Sequence, residues 1–144
     1  GYDVNLLNEG FQELLKRLKL DALLIDTHPG LNDETLLSIA LSDVLVIILR
    51  PDHQDYQGTD ITVAVAKHLD VPRIELIMNK TPLHFHSNSI KEKIQKIYDC
   101  PVLSVIYHSD ELMTLASETV FSLSYPSHPL SLQYKEIAYA LLNG

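Results

Sequence analysis

The sequence predicts an α/β fold: a mainly parallel sheet with helices on both faces. Two observations lead there. Short unbroken apolar runs recur at Ala22–Ile25, Val44–Leu49, Ile74–Met78 and Val102–Ile106, each ending in a polar loop. Between them lie stretches with apolar residues at helical spacing, the alternation that repeated βαβ crossovers require. No internal repeat, low-complexity tract or Pro/Gly-rich linker divides the chain, so its 144 residues read as a single domain.

Val4, Leu6, Leu7, Phe11, Leu14, Leu15 and Leu18 recur at helical spacing and predict an amphipathic helix over about 4–19. Ala22–Ile25 then predicts a buried strand ending at Asp26, followed by Thr27-His28-Pro29-Gly30, where Pro29 and Gly30 force a turn. Asn32 or Asp33 can cap a helix over 34–41, which Ser42-Asp43 breaks. Val44–Leu49 is the strongest strand signal in the chain. A helix from Gln54 or Asp55 to about Leu69 rests on Ile61, Val65, Ala66 and Leu69. A strand over 74–78 ends at Asn79-Lys80, and a loop with two histidines leads to a helix over 88–98 with Ile90, Ile94 and Ile97 on one face. After a strand over 102–106, Asp110 is expected to cap a short helix through Ala116, and Val120-Phe121 reads as a short extended piece. The last helix, 130–142, is expected to bury Tyr134, Ile137, Ala138, Leu141 and Leu142.

The net charge of −8 argues against a general nucleic-acid binder, which needs a basic face; Lys91, Lys93 and Lys96 read as a solvated helix face. Cys100 is the only cysteine, so no disulfide framework exists; a reducing cytosol is the default, and the thiol reads as buried and structural. No apolar run is long enough to span a membrane.

Ligands in open α/β sheets collect where the carboxyl ends of the strands meet their loops. Those ends would present Asp26 to Gly30, Arg50 to Asp55, and Asn79-Lys80. A carboxylate there can hold a hard cation such as Mg2+, and an amide can pair with a purine edge. Each residue also has a local alternative: Asp26 bonding its own turn, Asn79 closing a turn or cap.

In this order the motifs LLIDTHPGLNDETLLSIALSDVLVIILRPDHQDYQGT and IELIMNK, with the later LASETVFSLSYPSHPLSLQYKEIAYALL, resemble the MinD/ParA family of deviant-Walker P-loop ATPases. The resemblance covers residues 20–142 and corresponds to the C-terminal part of such a domain. It implies a P-loop NTPase-like, three-layer α/β/α fold, and ATP hydrolysis coupled to dimerisation and the positioning of cellular assemblies. It implies Asp26 near Mg2+, Gly30 near the γ-phosphate and Asn79 at the adenine edge. Pro126 would line the base pocket, with a plain turn as its local alternative.

One departure is large. The family cradles its phosphates in a Gly-rich loop with a lysine, yet none of the five glycines here lies in such a loop. The start at Gly1 rather than Met fits a piece of a longer polypeptide. The expectation is that ATP and Mg2+ belong to the complete domain and that this chain alone binds neither and is catalytically inactive. In the family's sheet the strand bearing the loop lies between those ending at Asp26 and Leu49. Its absence predicts a gap, to be met by the two strands closing up, by another chain, or by the missing segment existing elsewhere; the expectation is a homodimer or a domain-swapped oligomer.

Other chemistries fare worse. Seven histidines, among them His84-Phe85-His86 in a strand-like segment, come with no Cys pair or H-E-x-x-H motif. A receiver-like phosphoacceptor lacks its companion acidic pair, and serine hydrolysis lacks a G-x-S-x-G elbow. A membrane-binding C-terminal helix would need more than Lys135. The alternative from another class is a non-catalytic protein-interaction module on the same scaffold.

Overall fold

The computed structural model describes residues 4–115 and 118–144. Among the described residues the elements follow in the order α1 (Val4–Leu18), α2 (Asp33–Leu41), β1 (Val44–Leu49), α3 (His53–His68), β2 (Arg73–Thr81), α4 (Ser87–Tyr98), β3 (Val102–Tyr107), α5 (Asp110–Leu115), α6 (Phe121–Ser124) and α7 (Pro129–Asn143). The strands form one parallel sheet in the order β1-β2-β3. Each crossover passes through a helix, as parallel neighbours require.

Alternation along the strands sends side chains to two cores. Leu49, Leu76, Met78, Val102 and Val105 pack with Val63 of α3 and with Ile90, Ile94 and Tyr98 of α4. Ile77 and Ile106 face the other way, against Phe121 of α6 and Leu130 of α7. Leu76 and Met78 are fully buried, each side chain worth about 1.5–3 kcal/mol of transfer free energy. The result is the expected layer of sheet between two layers of helix.

One expected strand is missing. Residues 20–32 contain no helix or strand, and among the described residues nothing forms a ladder with Ala22–Ile25. Leu24 is 88% exposed and Ile25 lies at the surface. An apolar run is a local property, but a strand exists only when a neighbour takes its N–H and C=O groups. The two strands flanking the expected gap therefore do not close up. α1 likewise forms where its periodicity predicts, yet buries no residue completely; Leu7, Phe11 and Leu15 are half-buried, while Leu6, Leu14 and Leu18 are exposed.

Smaller differences have local causes. Asn32 caps α2, its side chain accepting from the Thr35 N–H at 2.8 Å. Asp52 caps α3, earlier than expected, and that helix buries Thr59, Val63 and Ala66 while Ile61 faces solvent. α4 buries Ile90, Ile94 and Tyr98, and Ile97 is exposed. Ser109 rather than Asp110 caps α5, its hydroxyl accepting from the Leu112 N–H at 3.2 Å; Ala116 lies outside the described residues. Phe121 opens the short helix α6 instead of continuing an extended piece, while Val120 stays extended. α7 buries Leu130 and Ser131, and Ala138 and Leu142 of its expected inner face are exposed.

Two polar clamps tie the layers together. Arg73, at the start of β2, donates from Nε to Glu75 at 2.9 Å and from Nη2 to the Ala140 carbonyl at 2.8 Å, holding the last turn of α7. Glu75 is buried, so this arginine both compensates its charge and binds helix carbonyls that have no partner within the helix. Gln133 of α7 donates to the Ser104 hydroxyl and the Val105 carbonyl, both at 2.8 Å.

Tyr98 supplies a third link, its hydroxyl donating to the Tyr56 carbonyl at 2.8 Å. Burial, with the charges of Asp60 and Tyr56 adding to it, pushes this phenol up to about 12. The folded value lies above the unfolded value of about 10. Its contribution to stability is therefore complete below pH 10 and is lost as the pH rises towards 12. Tyr98→Phe is expected to cost about 1 kcal/mol at neutral pH and to flatten the alkaline loss of stability. Urea unfolding at pH 7 and pH 11 checks this; parallel pH curves for the two proteins would count against it.

Candidate functional site

The carboxyl edge of the sheet is built from the ends of three strands. β2 ends in a bulge: Met78 pairs with Val105 and Thr81 with Tyr107, and the register shifts between them, over Asn79 and Lys80. Lys80 adopts φ 52°, in the left-handed region. Four described non-glycine residues have positive φ, and Lys19, Asp70 and Asp99 follow helix ends, where that conformation is ordinary. Lys80 stands at the end of a strand instead. Bulges at sheet edges re-aim side chains, and strained backbone gathers at functional sites.

The bulge has a specific chemical outcome. The Asn79 Oδ1 accepts the Lys80 N–H at 2.8 Å, the local cap that the sequence left open. That bond uses the amide oxygen; the two Nδ2 protons have no acceptor among the described residues. Beside it the His108 N–H donates to the Thr81 carbonyl at 3.0 Å, and the Tyr107 hydroxyl donates to the Phe85 carbonyl at 3.0 Å. The ends of β2 and β3 are thereby held together. Thr81 is completely buried and its hydroxyl has no partner among the described residues, a group the sequence offered no means of singling out.

At the end of β1, Arg50 clamps its own loop. Its guanidinium donates to Asp55 at 3.1 Å from Nε and 3.0 Å from Nη2, and its backbone N–H adds a third bond at 2.8 Å. The hydrogen bond from the Arg50 side chain, before its charge, holds the Asp55 carboxyl below the usual carboxylate range. Past β3, His108 Nε2 lies 3.0 Å from Asp110 Oδ1.

The remaining candidates lie on loops. Asp26 is exposed, and among the described residues no side-chain hydrogen bond or ion pair reaches it. Contact with its loop comes through the His28 carbonyl, which accepts from Thr35 Oγ1 at 3.4 Å. Gly30 has φ 100°, a conformation that only glycine adopts without strain, and there is open space where a Cβ would stand. Pro126 lies in a turn closed by the His128 N–H and the Tyr125 carbonyl at 3.1 Å, with Pro at the position where its fixed φ suits such a turn. Phe121 packs against the rings of Tyr125 and His128, each 5.1 Å away, anchoring the turn.

The structure thus puts Asn79 on the sheet edge, and Asp26, Gly30 and Pro126 on two loops at the entrances of α2 and α7. The amide donors of Asn79 fit an acceptor on a base. The 144 residues contain no Gly-rich loop followed by a lysine of the kind that cradles phosphates. His84 lies in a turn and His86 is the extended residue that precedes α4, so the two do not share a strand. Among the described residues no three His, Cys, Asp or Glu side chains group as a metal site would require. Cys100 is buried, and burial pushes its thiol up, away from the reactive thiolate. No described helix is long and apolar enough to cross a membrane.

A parallel sheet between helical layers, with polar loops at its carboxyl edge, is an α/β architecture consistent with a P-loop NTPase-like fold. The fold is shared with the MinD cell division protein of Aquifex aeolicus, at a TM-score of 0.81 and 16% identity over 99% of this chain and 61% of that one. In sequence the chain is 26% identical to an uncharacterized ATP-binding protein of Methanocaldococcus jannaschii, over 94% of this chain and 52% of the relative. It is 23% identical to a ParA family protein of Mycoplasma pneumoniae, over 91% of this chain and 54% of the relative. No family model matches. The chain is a relative of the MinD/ParA proteins and spans about half the length of the curated relatives it matches.

Proposed function

We propose that these residues form part of a MinD/ParA-type ATPase: the part that reads the base and places a metal-side carboxylate, without the phosphate cradle. The observation that supports this most is the bulge at Asn79-Lys80, which leaves at the carboxyl edge a half-buried amide whose two donors have no acceptor among the described residues. In this reading Asn79 would bind the adenine edge, Pro126 and its anchored turn would flank the base, and Asp26 would hold Mg2+, with Gly30 allowing close backbone approach to the γ-phosphate. Bound Mg2+ would neutralise phosphate charge, and hydrolysis would be coupled to dimerisation and to positioning of a cellular assembly.

Phosphoryl transfer rests on positioning and charge neutralisation, so the chain by itself is expected to be inactive. A titration of the chain with Mg·ATP should give binding weaker than millimolar. Covalent extension with a relative's segment containing a Gly-rich loop and lysine should bring the affinity to micromolar and restore turnover. If the extended, folded protein still bound no ATP, this reading would fail. The second reading, an interaction module without catalysis, predicts that outcome.

A further inference from the structure

One of the three lysines expected on a solvated helix face is withdrawn from it. Lys93 and Lys96 are exposed, but Lys91 is half-buried, and so is Gln95 one turn further along α4. Residues four apart share a helix face. This face borders a cavity of about 450 Å³, a volume within the range of small-molecule sites. Among the described residues neither the Lys91 nor the Gln95 side chain has a hydrogen bond or an ion pair. The cavity lies at the amino ends of β2 and β3, bordered by α4 and the last turn of α7. It is therefore separate from the carboxyl edge that carries Asn79, and β2 and β3 stand on the far side of the sheet from any strand beside β1.

The charges around the cavity leave one positive group over. Arg73 and Glu75 both line it and neutralise each other at 2.9 Å. Of the described residues that line it, Lys91 is the one other charged side chain. A lysine drawn out of water without a carboxylate partner loses hydration that an anion replaces. Gln95 adds an amide on the same helix face. Leu103 and the ring of Tyr139, which is 72% exposed, supply an apolar wall.

We infer that this cavity binds a small organic monocarboxylate, its carboxylate on Lys91 and Gln95 and its apolar body against Leu103 and Tyr139. One uncompensated lysine matches one negative charge. A phosphate dianion would call on Arg73 as well, and that guanidinium is already held by Glu75 and by the Ala140 carbonyl at 2.8 Å. The apolar wall matches a hydrocarbon body and leaves the hydroxyls of a sugar without partners. This inference does not rest on the nucleotide reading, and a failed ATP titration leaves it intact.

The test is an NMR titration of the isotope-labelled 144-residue chain with phenylacetate, run beside its neutral counterpart phenylacetamide. Phenylacetate should shift the backbone amides of Gln95, Leu103 and Tyr139 with half-saturation at about 1 mM, an affinity in reach of a ligand of that size. Phenylacetamide should bind about tenfold more weakly, because it lacks the charge that Lys91 receives. Lys91→Ala should lower the phenylacetate affinity about tenfold with unchanged circular dichroism. Lys93→Ala, on the exposed side of the same helix, should leave it unchanged. The comparison of acid with amide uses the wild-type chain, so it decides the matter even if a variant fails to fold. No saturable shift of these amides, equal affinity for acid and amide, a loss at Lys93 as large as at Lys91, or tighter binding of inorganic phosphate than of phenylacetate would each overturn it.

Discussion

In a polypeptide that joins these residues to a Gly-rich phosphate loop, Asp26→Asn is expected to lower ATP turnover by about a hundredfold or more, with nucleotide affinity changed only a few-fold. The size follows from what a carboxylate beside a metal does: it positions charge that is felt most in the transition state. Asn79→Ala should do the reverse, weakening ATP binding by about tenfold while sparing turnover at saturation, because an amide that reads a base holds ground state and transition state alike. Asn79 also caps Lys80 through its oxygen, so Asn79→Asp serves as the control. It keeps the cap acceptor and removes the two amide donors; a loss of affinity as large as that of alanine assigns the effect to those donors. Steady-state kinetics with ATP and GTP separate the outcomes. Equal losses of turnover for both residues would contradict the division of roles, and unchanged kinetics for Asp26→Asn would remove it from the metal side.

Arg73→Ala is expected to be the most destabilising single change outside the apolar core, at about 3 kcal/mol. It strands the buried Glu75 carboxylate and frees the Ala140 carbonyl that Arg73 holds at 2.8 Å. For a chain of this size that corresponds to a fall of about 10 °C in Tm. Arg73→Lys should recover little, since an ammonium cannot reach the carboxylate and the helix end with the same planar fork. Replacing both partners, as Arg73→Met with Glu75→Leu, should restore much of the loss, because the cost lies in the unpaired charge. Calorimetry of the four proteins checks this. An Arg73→Ala protein as stable as the wild type would show that α7 is held by Gln133 and apolar packing alone.

How much of this was legible in the residues varies with how local each feature is. Val44–Leu49 and Val102–Tyr107 are strands within a residue of their apolar runs, and Asn32 caps α2 as its side chain allows. The order of motifs was enough to state the family relationship and the parallel three-layer fold, and both hold. Helix faces were read less well. Ile61, Ile97 and Leu142 fit an apolar stripe by spacing but face solvent, because what a helix buries depends on where its neighbours sit.

Of the candidate site, the sequence determined the chemistry on offer: an acid at the end of an apolar run, an amide followed by a lysine, a glycine in a turn, a proline before the last helix. Only the tertiary structure decided which of these are presented and how. The bulge at Asn79-Lys80 arises from a register shift against β3, which no single segment encodes. The run Ala22–Ile25 shows the converse. It has the composition of a buried strand and stays unpaired at the surface, because strand formation needs a second strand to complete its hydrogen bonds, and none of the described residues supplies one.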